Sequence, residues 1–412
     1  MRRTVLTVLA LFGCFLFGFG WRDLQRGELP STRSMGALLG VRNSDPQLSP
    51  ERVFRENHSR ILANYVQPLK AQDLKYAGIS GMMASLGDPH TVFLVPKAAR
   101  EFQDETKANF FGVGASLNPD PLGAKVATAF EDGPAYAAGL RDGDIITGVN
   151  GKSVTGMDID KIVEQIKGPG GTLVKLTIMR PGKDKPAVLT IRRAKIITPT
   201  VRSKALPDKV GYLSVSSFSE PTTMQFDKEL GKLEAKGIDG LVIDLRGNPG
   251  GLLETAVEML SRFVENKIAV KMRFRDGHEE VAATYGGAAH RFDYPVVVLM
   301  NEDSASAAEI FAGVLKDYGR ATLVGEHTYG KASVQNVFKL VDQASAKITI
   351  ARYYLPNSGF IGRKVDEDGV YVSGGLQPDV EVELDLDHDV EFGNPKLDNQ
   401  LQTAIAVIKE KR

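Results

Sequence analysis

The spacing of apolar residues changes character several times along the chain. Behind Arg2-Arg3, residues 5–21 form an uncharged, almost wholly apolar run of 17, slightly short of the ~20 that cross a bilayer comfortably. A polar linker with Arg, Asp, Pro and Ser covers 22–50. From 51 to 105 the apolar positions recur at helical spacing: Val53, Ile61, Leu62, Tyr65 and Val66, then Leu74, Ile79, Met82, Met83 and Leu86. Gly87-Asp-Pro-His90 breaks that run, and His90 beside the Pro turn reads as structural.

Between 106 and 195 the pattern turns to short strands joined by glycine turns. Ala124–Phe130 and Ile145–Val149 read as strands, Asn150-Gly151 as a hairpin turn, and Asp158 as the cap of a helix over Ile159, Ile162, Val163 and Ile166. Thr172–Met179 and Ala187–Ile191 flank Pro181-Gly182 as a further hairpin. Beyond 197 strands and helices alternate: strand 240–246 then helix 252–264, strand 294–300 then helix 304–318, and strand 321–325. Repeated βα units predict a largely parallel sheet with helices on its faces and chemistry beyond the carboxyl ends of its strands. The last segment, 386–412, contains an amphipathic helix over Leu397–Ile408.

Composition narrows the functional classes. A chain of 412 residues implies two or three domains. Lys+Arg and Asp+Glu balance at 51 each, so no nucleic-acid partner is expected. The single cysteine, Cys14, rules out an intrachain disulfide framework, and six scattered histidines show no metal-ligand spacing; no metal and no cofactor are expected. Positive charge ahead of the apolar run orients the N-terminus to the cytoplasm and the remainder outside. That run is an export signal or a membrane anchor. Trp21 at an interfacial position and the lack of an A-x-A cleavage pattern favour the anchor. Leu11-Phe-Gly-Cys14 loosely resembles a lipoprotein box, which Phe12 and the apolar residues past Cys14 weaken.

Three segments carry candidate chemistry. Ser304-Ala-Ser-Ala-Ala-Glu-Ile310 opens a helix after a strand, placing a hydroxyl near the positive end of the helix dipole among small neighbours; Ser304 or Asp303 could equally cap that helix. Lys331 follows Gly330 at the mouth of the same sheet and is a candidate base, provided that burial holds it far below its ordinary pKa of ~10.4. Gln335, four residues on, lies on the same side in either a helix or a strand and is a candidate to orient the amine. Asn248-Pro-Gly-Gly251 offers the N–H groups of Gly250 and Gly251 which, with that of Ala307, would form an oxyanion hole. His327, four residues before Lys331, is the alternative base. Asp317 and Glu309 read as structural.

The order of Phe111-Gly112-Val113-Gly114, then Asp132-Gly-Pro-Ala-Tyr-Ala-Ala-Gly-Leu-Arg-Asp-Gly-Asp144, resembles a PDZ domain. Glycines 112 and 114 let successive N–H groups converge on a carboxylate beside a strand edge, which suits a free protein C-terminus. Asp244-Leu-Arg-Gly-Asn-Pro-Gly-Gly251, Ser304-Ala-Ser-Ala-Ala-Glu309 and Tyr329-Gly-Lys331, in this order after that module, resemble the carboxy-terminal processing proteases, as do Gly87-Asp-Pro-His90 and Gly374-Gly-Leu-Gln-Pro-Asp379. The resemblance implies a multidomain α+β protein: a helical N-terminal region (51–105), an inserted PDZ domain (106–195), a crotonase-like α/β protease core with cap elements (196–385) and a C-terminal helical segment (386–412). It implies Ser306 as nucleophile, Lys331 as base 25 residues on, and Gln335 as the assisting group, in a serine endopeptidase acting on protein substrates with free C-terminal tails. Ala332 stands where glycine commonly follows the lysine, and Gly247 where asparagine is usual. The expected location is the periplasmic side of a bacterial inner membrane, reached through the N-terminal segment. The helices at the two ends resemble family dimerisation elements and admit a homodimer. Arg141 is a candidate contact between module and core, by which docking of the inserted domain could gate the site. Two further readings are a PDZ tail-binding scaffold on an inactive core and an acyl-CoA enzyme of the crotonase type.

Overall fold

The computed structural model describes residues 49–287, 294–386 and 390–412. The export or anchor segment, 1–21, and Cys14 therefore lie outside the described residues. Among the described residues no helix is long and apolar enough to cross a membrane. The chain divides into two units, one ending at Ser85 and one running from Leu86 to Arg412. In the first, Ser49 caps the helix Pro50–Asn64, which has Pro at its first turn, and a second helix spans Ala71–Ala84.

The second unit is built on a six-stranded sheet, in the order Val201–Ala205, Val210–Val215, Gly240–Asp244, Val296–Met300, Thr322–Gly325, Val380–Glu381. The first pair is antiparallel and the rest are parallel. Leu213, Ile243, Val298 and Leu323 stand in one row across it, and all four are fully buried. Because successive side chains point to opposite faces, their neighbours Tyr212, Val242 and Val297 form a second row. Each row has its own cover. The first packs with the helices Thr222–Glu234, Leu253–Leu260 and Ala307–Asp317; the second packs with Leu401, Ala404, Val407 and Ile408 of the helix Asn399–Glu410. Burial on both faces is why these strands read as continuous apolar runs. The apolar stripe of the C-terminal helix is thus covered within its own chain.

A second, antiparallel sheet joins Val92–Leu94, Ser345–Tyr354, Ile268–Phe274 and Glu279–Ala283, with Ser333–Lys339 paired along Ser345–Tyr354. The inserted module enters through Asn109–Gly112 and leaves through Ala194–Ile197, and these two strands pair antiparallel, so both crossings run side by side. Its sheet runs Ala115–Asp120, Gly123–Ala129, Ile145–Val149, Leu173–Met179, Ala187–Arg192, closed by Ile159–Ile166 over a core with Leu140, Ile146, Ile162, Leu176 and Ile178. Asp158 caps that helix as the sequence predicts.

Candidate active site

Parallel strands deliver their turns to one end of the central sheet, and two of these turns are stitched together. Asn301 Oδ1 accepts from Gly247 N at 2.9 Å, and the Ala305 N–H donates to the Asn248 carbonyl at 2.9 Å. Asn248 is fully buried. Its amide donates to Val215 O, and its Oδ1 accepts from Gly250 N, both at 2.8 Å. Ser304, also buried, donates to Leu245 O at 2.9 Å and accepts from Asn301 N at 3.0 Å. The two serines thereby take different tasks: Ser304 ties one strand end to the next, and Ser306 is left at the head of the helix.

Ser306 is the N-cap of Ala307–Asp317, with φ 56° and ψ −115°. A positive φ in a residue with a Cβ is strained, and the surroundings hold it there: the Ser306 N–H donates to Glu309 Oε2 at 2.8 Å. The same oxygen accepts from Lys331 N at 2.9 Å, and Oε1 accepts from Gly330 N at 2.7 Å and from Thr328 Oγ1 at 2.5 Å. One fully buried carboxylate thus fixes the main chain of both Ser306 and Lys331. Burial pushes the Glu309 carboxyl above its ordinary range, and its four donors work against that shift. The structural role expected of Glu309 is larger than its place one turn along the helix suggests. The S-x-x-E spacing of a capping box, Ser306 to Glu309, is the signal that could have found it.

Lys331 precedes the strand Ser333–Lys339 and is half-buried. Its main-chain carbonyl accepts from the Tyr353 hydroxyl at 2.6 Å. Burial, and then the charge of Lys347, holds its amine below the ordinary lysine value, against the opposing pull of Glu309 and Asp88. Lys347 is on the neighbouring strand Ser345–Tyr354, and burial lowers it as well. Among the described residues no hydrogen bond joins the Lys331 amine to the Ser306 hydroxyl. Catalytic contacts are often open without substrate. Gly87-Asp-Pro-His90 also belongs here. Asp88 accepts from His90 N at 2.9 Å and Thr91 Oγ1 at 2.7 Å, Thr91 accepts from Thr349 N at 3.0 Å, and burial followed by the Lys331 charge keeps His90 below its usual value. Nothing in the local pattern around Asp88 or Lys347 signals this proximity, which the second sheet creates.

The other expected residues are placed as follows. Gln335 donates to Ser333 Oγ at 2.8 Å and Thr349 Oγ1 at 3.2 Å, not to Lys331. The register shift between Val334 and Gln335 breaks the alternation on which a same-side argument from Lys331 depends. The Gly250 N–H is committed to Asn248, which removes it from the expected oxyanion hole. At φ +98°, Gly250 supplies space instead: a Cβ there would lie 2.8 Å from both Ala307 N and Ser306 Cβ. The N–H groups of Gly251 and Ala307 meet no acceptor among the described residues. His327 stacks on Tyr371 with ring centroids 4.2 Å apart. Asp317 accepts from Asn357 N and Ser358 N at 2.8 and 3.1 Å, a structural role as expected.

In the inserted module, Val113 is buried and Phe111 is half-exposed; a Cβ on Gly170 would lie 2.6 Å from the Phe111 ring. Gly112 pairs with Ala194, and Gly114 takes φ +81°. The strand that follows, Ala115–Asp120, is one of the two edges of its sheet, the other being Ala187–Arg192. Arg141 does not reach the core: its guanidinium donates to Tyr136 O and Leu140 O, both at 2.8 Å, and lies 4.0 Å over the Tyr136 ring. Both bonds are made by Nη1 within its own loop.

Comparison with known proteins agrees with this layout. The profile of peptidase family S41 matches residues 209–382, and that of the PDZ domain matches 126–180. The chain is 31% identical over 405 residues to the carboxy-terminal processing protease CtpB of Bacillus subtilis, covering 94% of this chain and 83% of that one. It is 32% identical over 349 residues to CtpA of the same organism, covering 84% and 72%. A carboxy-terminal-processing protease of Bartonella bacilliformis is 33% identical over 354 residues, covering 84% and 79%. The structure of a putative S41 protease from Bacteroides fragilis shares the fold, with a TM-score of 0.52 and 19% identity over 84% of this chain and 91% of that one. The chain is a PDZ-containing serine peptidase of family S41 and belongs to the carboxy-terminal processing proteases.

Proposed function

We propose that Ser306 and Lys331 form the catalytic pair of an endopeptidase that works through an acyl-enzyme. The observation that carries this reading is that Glu309 Oε2 accepts hydrogen bonds from both the Ser306 and the Lys331 main-chain N–H groups, at 2.8 and 2.9 Å, and so fixes the two segments against each other. The neutral Lys331 amine takes the hydroxyl proton as Ser306 Oγ attacks the peptide carbonyl, and returns it to the departing amine. Water then cleaves the ester. The free N–H groups of Gly251 and Ala307 are the donors for the developing oxyanion, each worth roughly 3 kcal/mol in comparable reactions. With its amide donating to Ser333 and Thr349, Gln335 has only its carbonyl oxygen left for the assisting role that the family resemblance implies.

The open edge Ala115–Asp120 beside the Phe111–Gly114 turn supports capture of a protein C-terminus as an added strand. Residues 1–21 support export to the periplasmic side of a bacterial inner membrane, anchored there, with a homodimer as the assembly that the family resemblance admits.

The test is hydrolysis of an unstructured protein, followed by mass spectrometry. The intact chain generates new termini and accumulates an acylated species at Ser306. Ser306→Ala and Lys331→Met each lower kcat by about 10⁴-fold or more. Undiminished cleavage by either variant refutes the assignment.

A further inference from the structure

Beside the lysine loop lies an arginine that the reaction does not use. The main chain of Arg363 is wedged against that loop: its N–H donates to Gly330 O at 2.7 Å. The contact needs glycine on both sides. A Cβ on Gly330 (φ +86°) would lie 2.8 Å from Arg363 N, and one on Gly374 (φ +115°) would lie 2.7 Å from Arg363 Cα. The guanidinium carbon lies over two rings, 5.1 Å from the Tyr329 centroid and 5.3 Å from that of Tyr371. Each ring is itself fixed. Tyr371 is stacked by His327 and donates to Gly374 O at 2.7 Å. Tyr329 is met edge-on by His90 at 6.4 Å, and its N–H donates to Ser304 O at 3.0 Å.

Arg363 is exposed and has no carboxylate partner among the described residues. Asp366, the acid nearest to it in sequence, accepts from Asp368 N and Val370 N of its own turn. Arg246 and Arg180 end differently: Arg246 is bonded by Asp244, Asp398 and Gln400, and Arg180 by Asp144 and Gly139 O. Stacking between aromatic faces leaves the edge of a guanidinium free, and that edge matches a carboxylate with two parallel N–H donors. The two ring contacts restrict the guanidinium before any ligand arrives, which lowers the ordering cost of binding.

We propose that Arg363, bonded to Gly330 next to Lys331 and lying over the Tyr329 and Tyr371 rings, is a specificity subsite that reads a carboxylate of the substrate near the scissile bond. The proposal rests on the assignment of Ser306 and Lys331 above. The carboxylate comes from an Asp or Glu side chain or from the free end of the tail, and the experiment separates these sources.

Scissile bonds are first mapped on an unstructured protein with the full chain. Quenched fluorescent peptides around one such bond are then made with Glu or Gln at each flanking position, and with a free or an amidated C-terminus. In the unsubstituted protein, kcat/KM for one Glu peptide exceeds that of its Gln partner by about tenfold, mainly through KM, as a screened charge-assisted pair gives. High salt compresses the ratio. In Arg363→Gln the ratio falls to near one, and Arg363→Lys, which keeps the charge without the fork, lies between. If amidation rather than Glu→Gln removes the Arg363-dependent preference, the tail end is the source. Should Arg363→Gln be inactive, binding of the same peptide pairs to Ser306→Ala and to Ser306→Ala/Arg363→Gln, read by fluorescence anisotropy, gives the ratio without turnover. A ratio near one for every pair in the unsubstituted protein, or an unchanged ratio in Arg363→Gln, overturns the subsite. Failure of the unsubstituted protein to cleave any peptide overturns the catalytic reading instead.

Discussion

Two carboxylate centres in the core are equally removed from water and are satisfied in opposite ways. Asp244 and Asp398 share the guanidinium of Arg246, bonded at 2.6 to 3.2 Å, with Tyr212 donating to Asp244 at 2.7 Å. Glu309 has no such cation; three main-chain N–H groups and one threonine hydroxyl hold it. An arginine-neutralised pair makes a lock between distant parts of the chain, here the carboxyl end of the strand Gly240–Asp244 and the start of the C-terminal helix. A carboxylate held by neutral donors makes a ruler instead. It sets the spacing of the main chains that carry Ser306 and Lys331 and brings no further positive charge to their side of the sheet. The first centre ties two distant segments together, and the second holds the main chains of the proposed catalytic pair.

That contrast is broken most severely by Arg246→Met, which leaves two buried carboxylates unpaired. The expected loss is about 3–5 kcal/mol in urea unfolding, with kcat of the folded fraction preserved. A folded variant of ordinary stability would show that the lock is dispensable. Glu309→Gln is the converse. Its amide has to face at least one N–H, that of Gly330 if it takes the Oε1 side and those of Ser306 and Lys331 if it takes the other. The outcome is a loss of about 1–3 kcal/mol together with a fall in kcat larger than any change in KM. Unchanged kcat with reduced stability would make Glu309 a lock as well. Thr328→Val removes one donor from Glu309 and the acceptor of Leu376 N, 2.7 Å away, for about 1 kcal/mol in thermal melting and a smaller fall in kcat.

The smallest effect is in pH dependence. In the proposed mechanism Lys331 acts without its proton, so activity is expected to rise as pH passes upward through its lowered value. Burial does most of that lowering and the charge of Lys347 adds to it. In Lys347→Met the Lys331 amine keeps its proton to higher pH, and the acid limb of kcat/KM moves to the alkaline side. A limb that stays in place, or moves the other way, would remove Lys347 from the electrostatics of the site.

Much of this protein is legible before any coordinates. The βα rhythm after residue 197 dictates a doubly covered parallel sheet, because strands buried on both faces must be apolar throughout, and turns following such strands meet at one end. Asn150-Gly151 and Asp158 mark their turn and cap locally, where backbone preference alone decides. Ser306, Lys331 and the Asn248–Gly251 turn could be named as candidate chemistry from spacing and from family resemblance.

Tertiary structure decided what those groups are free to do. Hydrogen-bond partners far apart in the chain divided the work between Ser304 and Ser306 and made Glu309 a bracket across 22 residues, while nearer partners occupied the Gly250 N–H and turned Arg141 onto its own loop. Arg363 comes to Lys331 through the close approach of two glycine-bearing segments, and no local pattern records that approach. Periodicity encodes which face of an element is buried. Whether a polar group is already satisfied depends on which other elements pack against that face, and this is why the fold was readable from the sequence while the assignment of donors, acceptors and charges was not.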